Sequence, residues 1–177
     1  MPATIFMNAV TAAFASVAVA AASFAGLKPG GAYDDGVLTA LSRADAASHA
    51  LATFMRADRN GDDALDVNEF AALTVVTAEL ANLNGFVSVE NGEGVKTIAL
   101  PVAAPVALGD AEQTRIDAVA RHTFYAFAGA DGKMQQGEYL GLQQAIFASS
   151  DLNANGALTS AELSLFAQRQ AFLRPEA

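Results

Sequence analysis

Apolar residues recur at steps of three and four between short polar loops, a rhythm that predicts a mainly helical protein. The uncharged stretch 5–27 aligns Phe6, Val10, Phe14, Val17, Ala21 and Phe24 on one stripe before Lys28-Pro29-Gly30-Gly31 breaks the pattern. A helix over 37–57 turns Leu38, Leu41, Leu51, Phe54 and Met55 inward, and one over 68–83 buries Phe70, Leu73, Leu80 and Leu83. The period then changes. β-Branched runs at 86–90 and 95–100 flank Asn91-Gly92-Glu93-Gly94, which predicts a hairpin. Pro101 and Pro105 make the next stretch an extended connector. A helix capped by Asp110 runs to Phe127 with Ile116, Val119, Thr123 and Phe127 on one face, and further helices follow over 139–150 and 161–173.

Two of the polar loops carry chemistry. Over 58–69, oxygen-bearing side chains stand at positions 1, 3, 5, 9 and 12, with the apolar Leu65 at position 8. Ca²⁺ takes six to eight oxygens, which a loop of this spacing supplies from alternate side chains, one carbonyl and a bidentate Glu. The candidate ligands are Asp58, Asn60, Asp62, the Ala64 carbonyl, Asp66 through water, and Glu69. The pattern recurs over 151–162 with Asp151, Asn153, Asn155, the Ala157 carbonyl, Thr159 and Glu162. The flanks match too: Phe54 and Phe147 each stand four residues before their loop, and Phe70 and Leu163 follow the closing Glu.

On these two loops the chain resembles an EF-hand calcium-binding protein of the calmodulin-like superfamily, in a compact, bacterial-type array. The resemblance implies helix-loop-helix pairs with a small β-hairpin insertion. Two degenerate loops complete the array. Asp34-Asp35-Gly36-Val37-Leu38-Thr39 reads as the middle of a hand, with Asp35 at position 5, Leu38 at 8 and Ser42 at 12, or equally as a turn and helix cap. The loop 127–138 has Asp131, Gly132, Met134 and Glu138 in place but Phe127 at position 1. Only twelve residues separate Glu138 from Asp151, so one helix must leave one hand and enter the next. An internal duplication accounts for this order. It divides the chain into an N-terminal pair (1–84), a hairpin and linker (85–109) and a C-terminal pair (110–177). Hands pair through β contacts at position 8, implying Leu38 with Leu65 and Met134 with Leu158.

At 177 residues the chain can bury a substantial core, and its net charge of −9 argues against a nucleic-acid partner. Much of that charge lies in and beside the loops, so it reports cation binding. A composition that is 53% hydrophobic leaves room for an apolar surface offered to a protein partner. With four Met including the initiator, that surface would be Phe, Leu and Val rather than a Met-lined groove.

The chain has no Cys, hence no disulfide or thiolate site, and no Gly-x-Ser-x-Gly or Walker loop marks an enzyme. His49 and His122 fall on polar helix sides without a partner at i+3 or i+4, so surface or capping roles are expected and zinc is not. Three readings of 5–27 stand: a core helix, a secretory signal lacking its preceding basic residues, and a weakly lipophilic span. The compartment follows from that choice, cytoplasmic for a core helix, exported or periplasmic if 1–25 is a signal. Membrane contact through this segment stays open with it.

Overall fold

Residues 36–91, 94–101 and 106–171 are described by the computed structural model, and the expectations for 5–27 lie outside them. Five helices and three two-stranded antiparallel sheets make up the described residues: β1 (Ala40–Ser42), α1 (Arg43–Ala57), β2 (Ala64–Leu65), α2 (Val67–Asn84), β3 (Phe86–Asn91), β4 (Gly94–Ala99), α3 (Asp110–Phe127), β5 (Met134–Gln135), α4 (Gln136–Ser150), β6 (Ala157–Thr159) and α5 (Ala161–Gln170). The chain is thus mainly helical with small sheets. Among these residues no helix is long and apolar enough to cross a membrane.

The first departure from expectation is the start of α1, at Arg43 rather than residue 37. Ser42 sits extended at the N-cap, where its Oγ accepts from Asp45 N at 3.1 Å and donates to Asp45 Oδ2 at 2.6 Å. That cap ends any helix running upstream. Residues 40–42 are strand instead, and Leu41 pairs with Leu158. The residue that pairs in this segment is therefore Leu41, three residues after the Leu38 expected to pair.

The second departure is which loops pair. β2 pairs with β5, opposing Leu65 to Met134, and β1 pairs with β6, opposing Leu41 to Leu158. The expected pairs, Leu38 with Leu65 and Met134 with Leu158, do not form. Helix length explains this. β1 and β2 lie at opposite ends of α1, and β5 and β6 at opposite ends of α4, each a helix of 15 residues. Such a helix holds its two ends about 22 Å apart, far beyond the reach of strand pairing. With α1 packed along α4 in the opposite direction, one pair of loops meets at each end.

A core lies behind each pair. Behind β2–β5, Leu65 and Met134 join Phe54, Phe70, Phe124 and Tyr139, with ring centroids 5.8 Å apart for Phe54–Tyr139 and 5.9 Å for Phe70–Phe124. Behind β1–β6, Leu41 and Leu158 join Phe147, Leu163 and Phe166. Here the hairpin contributes Val87, Val89, Ile98 and Leu100 from its inward face. The hairpin lies within one residue of its expected bounds and is part of a core.

Much of the apolar content is alanine spent on close approach. Ala71, Ala78 and Ala81 of α2 and Ala120 of α3 are buried, Ala71 and Ala120 in the core behind β2–β5 and Ala81 in the core behind β1–β6. The buried stripe of α3 is accordingly Ile116, Ala120 and Phe124, and Phe127 is 40% exposed. Gly109, not Asp110, takes the N-cap of α3, and Met55 is 68% exposed rather than turned inward.

Candidate metal centre

The loop 58–69 begins as α1 ends, with Asp58 N donating to Phe54 O, and closes on the capping box that starts α2. Its side-chain oxygens fold onto its own amides. Asp58 Oδ1 accepts from Gly61 N at 2.8 Å and Asp62 N at 3.3 Å, and Oδ2 from Asp63 N at 3.0 Å. Asn60 Oδ1 accepts from Asp62 N, and Asp62 Oδ1 from Ala64 N. Glu69 spans the loop, taking Arg59 N on Oε1 and Asp66 N on Oε2, each at 3.0 Å.

The loop 151–162 repeats this arrangement. Asp151 accepts from Asn155 N at 3.1 Å and Gly156 N at 2.9 Å, Asn153 Oδ1 from Asn155 N, and Asn155 Oδ1 from Ala157 N. Glu162 takes Leu152 N on Oε1 and Thr159 N on Oε2, both at 3.1 Å. Six bonds thus join the same loop positions in both: 5 and 6 to 1, 5 to 3, 7 to 5, and 2 and 9 to 12. The surroundings differ. Asp151 and Glu162 are 8% and 6% exposed, and Glu162 Oε1 also accepts from Asn153 Nδ2 at 2.8 Å.

The turn requires the left-handed region at positions 4 and 6 of each loop. Loop 58–69 places Gly61 (φ 70°) and Asp63 (φ 62°) there, and loop 151–162 places Ala154 (φ 56°) and Gly156 (φ 82°). A non-glycine residue thus takes the left-handed region in both loops, Asp63 at position 6 of the first and Ala154 at position 4 of the second. Asp63→Gly is expected to tighten Ca²⁺ binding at the first loop by up to about tenfold through relief of ~1–1.4 kcal/mol of strain, leaving the second nearly unchanged. Calorimetric titration checks this; weaker binding would make Asp63 a contributor to the site.

The donor set is entirely oxygen, which suits a hard cation such as Ca²⁺ and not a thiolate- or imidazole-bound metal. Asp58 Oδ2 and both Glu69 oxygens accept one amide each and keep a lone pair, whereas Asp58 Oδ1 accepts two donors and Glu162 Oε1 three. Among the described residues no three His, Cys, Asp or Glu side chains converge as a preformed metal cluster. A cationic group does reach the first loop: Lys133 Nζ donates to Asp62 Oδ2 at 2.6 Å. That bond, with the Lys133 charge, lowers the Asp62 pKa. The same bond, then the charges of Asp62, Asp131 and Glu69, raises that of Lys133.

Lys133 belongs to the degenerate loop 127–138, which keeps part of the pattern. Asp131 Oδ1 accepts from Lys133 N, Glu138 Oε2 accepts from Gln135 N at 2.8 Å, and Gly132 has φ 71°. The exposed ring of Phe127 stands where a position-1 carboxylate would be. Sequence reasoning missed Lys133, because a side chain at position 7 has no assigned role and its reach depends on which loop lies alongside.

His49, expected at the surface or in a cap, is partly buried beside the hairpin. Its Nδ1 accepts from Glu90 N at 3.1 Å, and the Arg56 guanidinium pairs with the Glu90 carboxylate at 2.7 Å. Burial, then the Arg56 charge, push the His49 pKa down to about 4 against the opposing pull of Glu90. It is a docking group for β3. His122 is exposed, as expected. No family model matches the sequence, and comparison with curated proteins and with solved structures finds no match.

Proposed function

We propose that the protein binds two calcium ions through EF-hand loops at 58–69 and 151–162, in a regulatory, buffering or partner-binding role without catalysis. The observation that carries this reading is the set of six shared hydrogen bonds, which aim two remote segments' oxygens in one register. Asp58, Asn60, Asp62, the Ala64 carbonyl, Glu69 and a water on Asp66 would hold the first ion. Asp151, Asn153, Asn155, the Ala157 carbonyl, Thr159 and Glu162 would hold the second. The pairs Leu65–Met134 and Leu41–Leu158 support the hands, each pair joining one complete loop to a degenerate one.

Calorimetric titration of the full chain with Ca²⁺, with and without Mg²⁺, is expected to give a stoichiometry near two. Four ions would restore the degenerate loops as sites, and none would end the calcium reading. A second reading, an interaction module that Ca²⁺ locks, draws support from the hairpin, whose inward face lies in the core while Val95 stays exposed. Apolar-dye binding that rises with Ca²⁺ favours a sensor. Unchanged dye binding with a large rise in melting temperature favours the lock.

A further inference from the structure

We infer that the degenerate loop 127–138 is a built-in brake on cation binding at loop 58–69, with Lys133 as its working part. The inference rests on the calcium reading above and adds a regulator to one of its two sites. Pairing of β2 with β5 lays the degenerate loop against the complete one, Ala64 opposite Gln135 and Leu65 opposite Met134. From there Lys133 Nζ reaches Asp62 Oδ2 at 2.6 Å, while Asp62 Oδ1 is taken by Ala64 N at 3.2 Å. Asp62 is the position-5 ligand, so an incoming Ca²⁺ must displace the ammonium or sit beside it. Either route costs affinity, since the carboxylate gives up a partner or two positive charges share the loop.

The brake is selective. Among the described residues no Lys or Arg forms an ion pair with Asp151 or Glu162. The second complete loop has only two carboxylates to lose, and its paired segment Ala40–Ser42 supplies no cation. The brake is also light, because the Lys133 and Asp62 side chains are 47% and 36% exposed and an ion pair so exposed to water is weak and screened by salt.

The test is Ca²⁺ calorimetry on the full chain carrying Glu162→Gln to isolate the first loop, comparing Lys133 with Lys133→Met and Lys133→Arg at low and high salt. Lys133→Met is expected to tighten the first site about two- to fivefold at low salt, with the gain shrinking at high salt. Lys133→Arg keeps the charge and should stay near the parent. In the background with loop 151–162 intact, the second site should not move. An unchanged or weakened first site in Lys133→Met, with calcium still bound, overturns the brake and leaves the calcium reading standing. Absence of calcium binding at both loops of the unsubstituted chain overturns the two together.

Discussion

Glu162→Gln is expected to weaken calcium binding at loop 151–162 by about a hundredfold, the loss of one charge-assisted contact of about 2–3 kcal/mol. The proposed ligand set makes this loop the more vulnerable of the two. Asp151 and Glu162 are its only carboxylates, so the substitution halves its formal charge. Glu69→Gln leaves Asp58, Asp62, Asp63 and Asp66 in the other loop, and its loss should be smaller. Glu162 also organises the loop without an ion. Its oxygens accept from Leu152 N, Asn153 Nδ2 and Thr159 N while the side chain is 6% exposed. A Gln amide turns a donor toward some of these donors, so the ion-free protein should lose on the order of 1–3 kcal/mol as well. Calorimetry and ion-free denaturation read the two effects separately. A Glu162→Gln chain with unchanged affinity at that loop would remove Glu162 from the ligand set.

Phe124→Ala is expected to lower the unfolding free energy by about 3–5 kcal/mol, the usual cost of emptying a fully buried aromatic site. Phe124 is 0% exposed, packs on Phe70 at 5.9 Å and shares its cluster with Leu65 and Met134, the residues that oppose each other between the paired loops. In a domain of this size such a loss lowers the melting temperature by roughly 10 °C. Phe127→Ala separates the two candidate faces of α3. The stripe read from spacing buries Phe127, whereas the structure leaves it 40% exposed, so its removal should cost about 1 kcal/mol or less. Chemical denaturation of both variants decides the matter, and equal costs would return the packing of α3 to the spacing-based face.

Local chemistry was legible wherever neighbouring residues produce it. The loop segments 58–69 and 151–162 read directly, because a turn whose side chains bond its own amides depends only on residues within it. The left-handed conformation of Asp63 follows from position 6 of such a turn. The hairpin follows from β-branched runs around a Gly-rich turn. One exclusion was also within reach: a helix filling the twelve residues between Glu138 and Asp151 already keeps Met134 from Leu158, without saying what either meets.

The sequence by itself thus determined the helices, the hairpin and the internal geometry of each complete loop, since these depend on contacts a few residues apart. Tertiary structure alone decided which loops meet, which face of α3 is buried, and where Lys133 and His49 reach. The pairing residue ahead of α1 belongs with these, for Leu41 rather than Leu38 pairs, and its partner Leu158 is remote along the chain. The physical reason is common to all of them. Burial and strand pairing depend on partners remote along the chain, and the rigid lengths of α1 and α4 choose those partners by carrying loop ends to opposite poles of the fold.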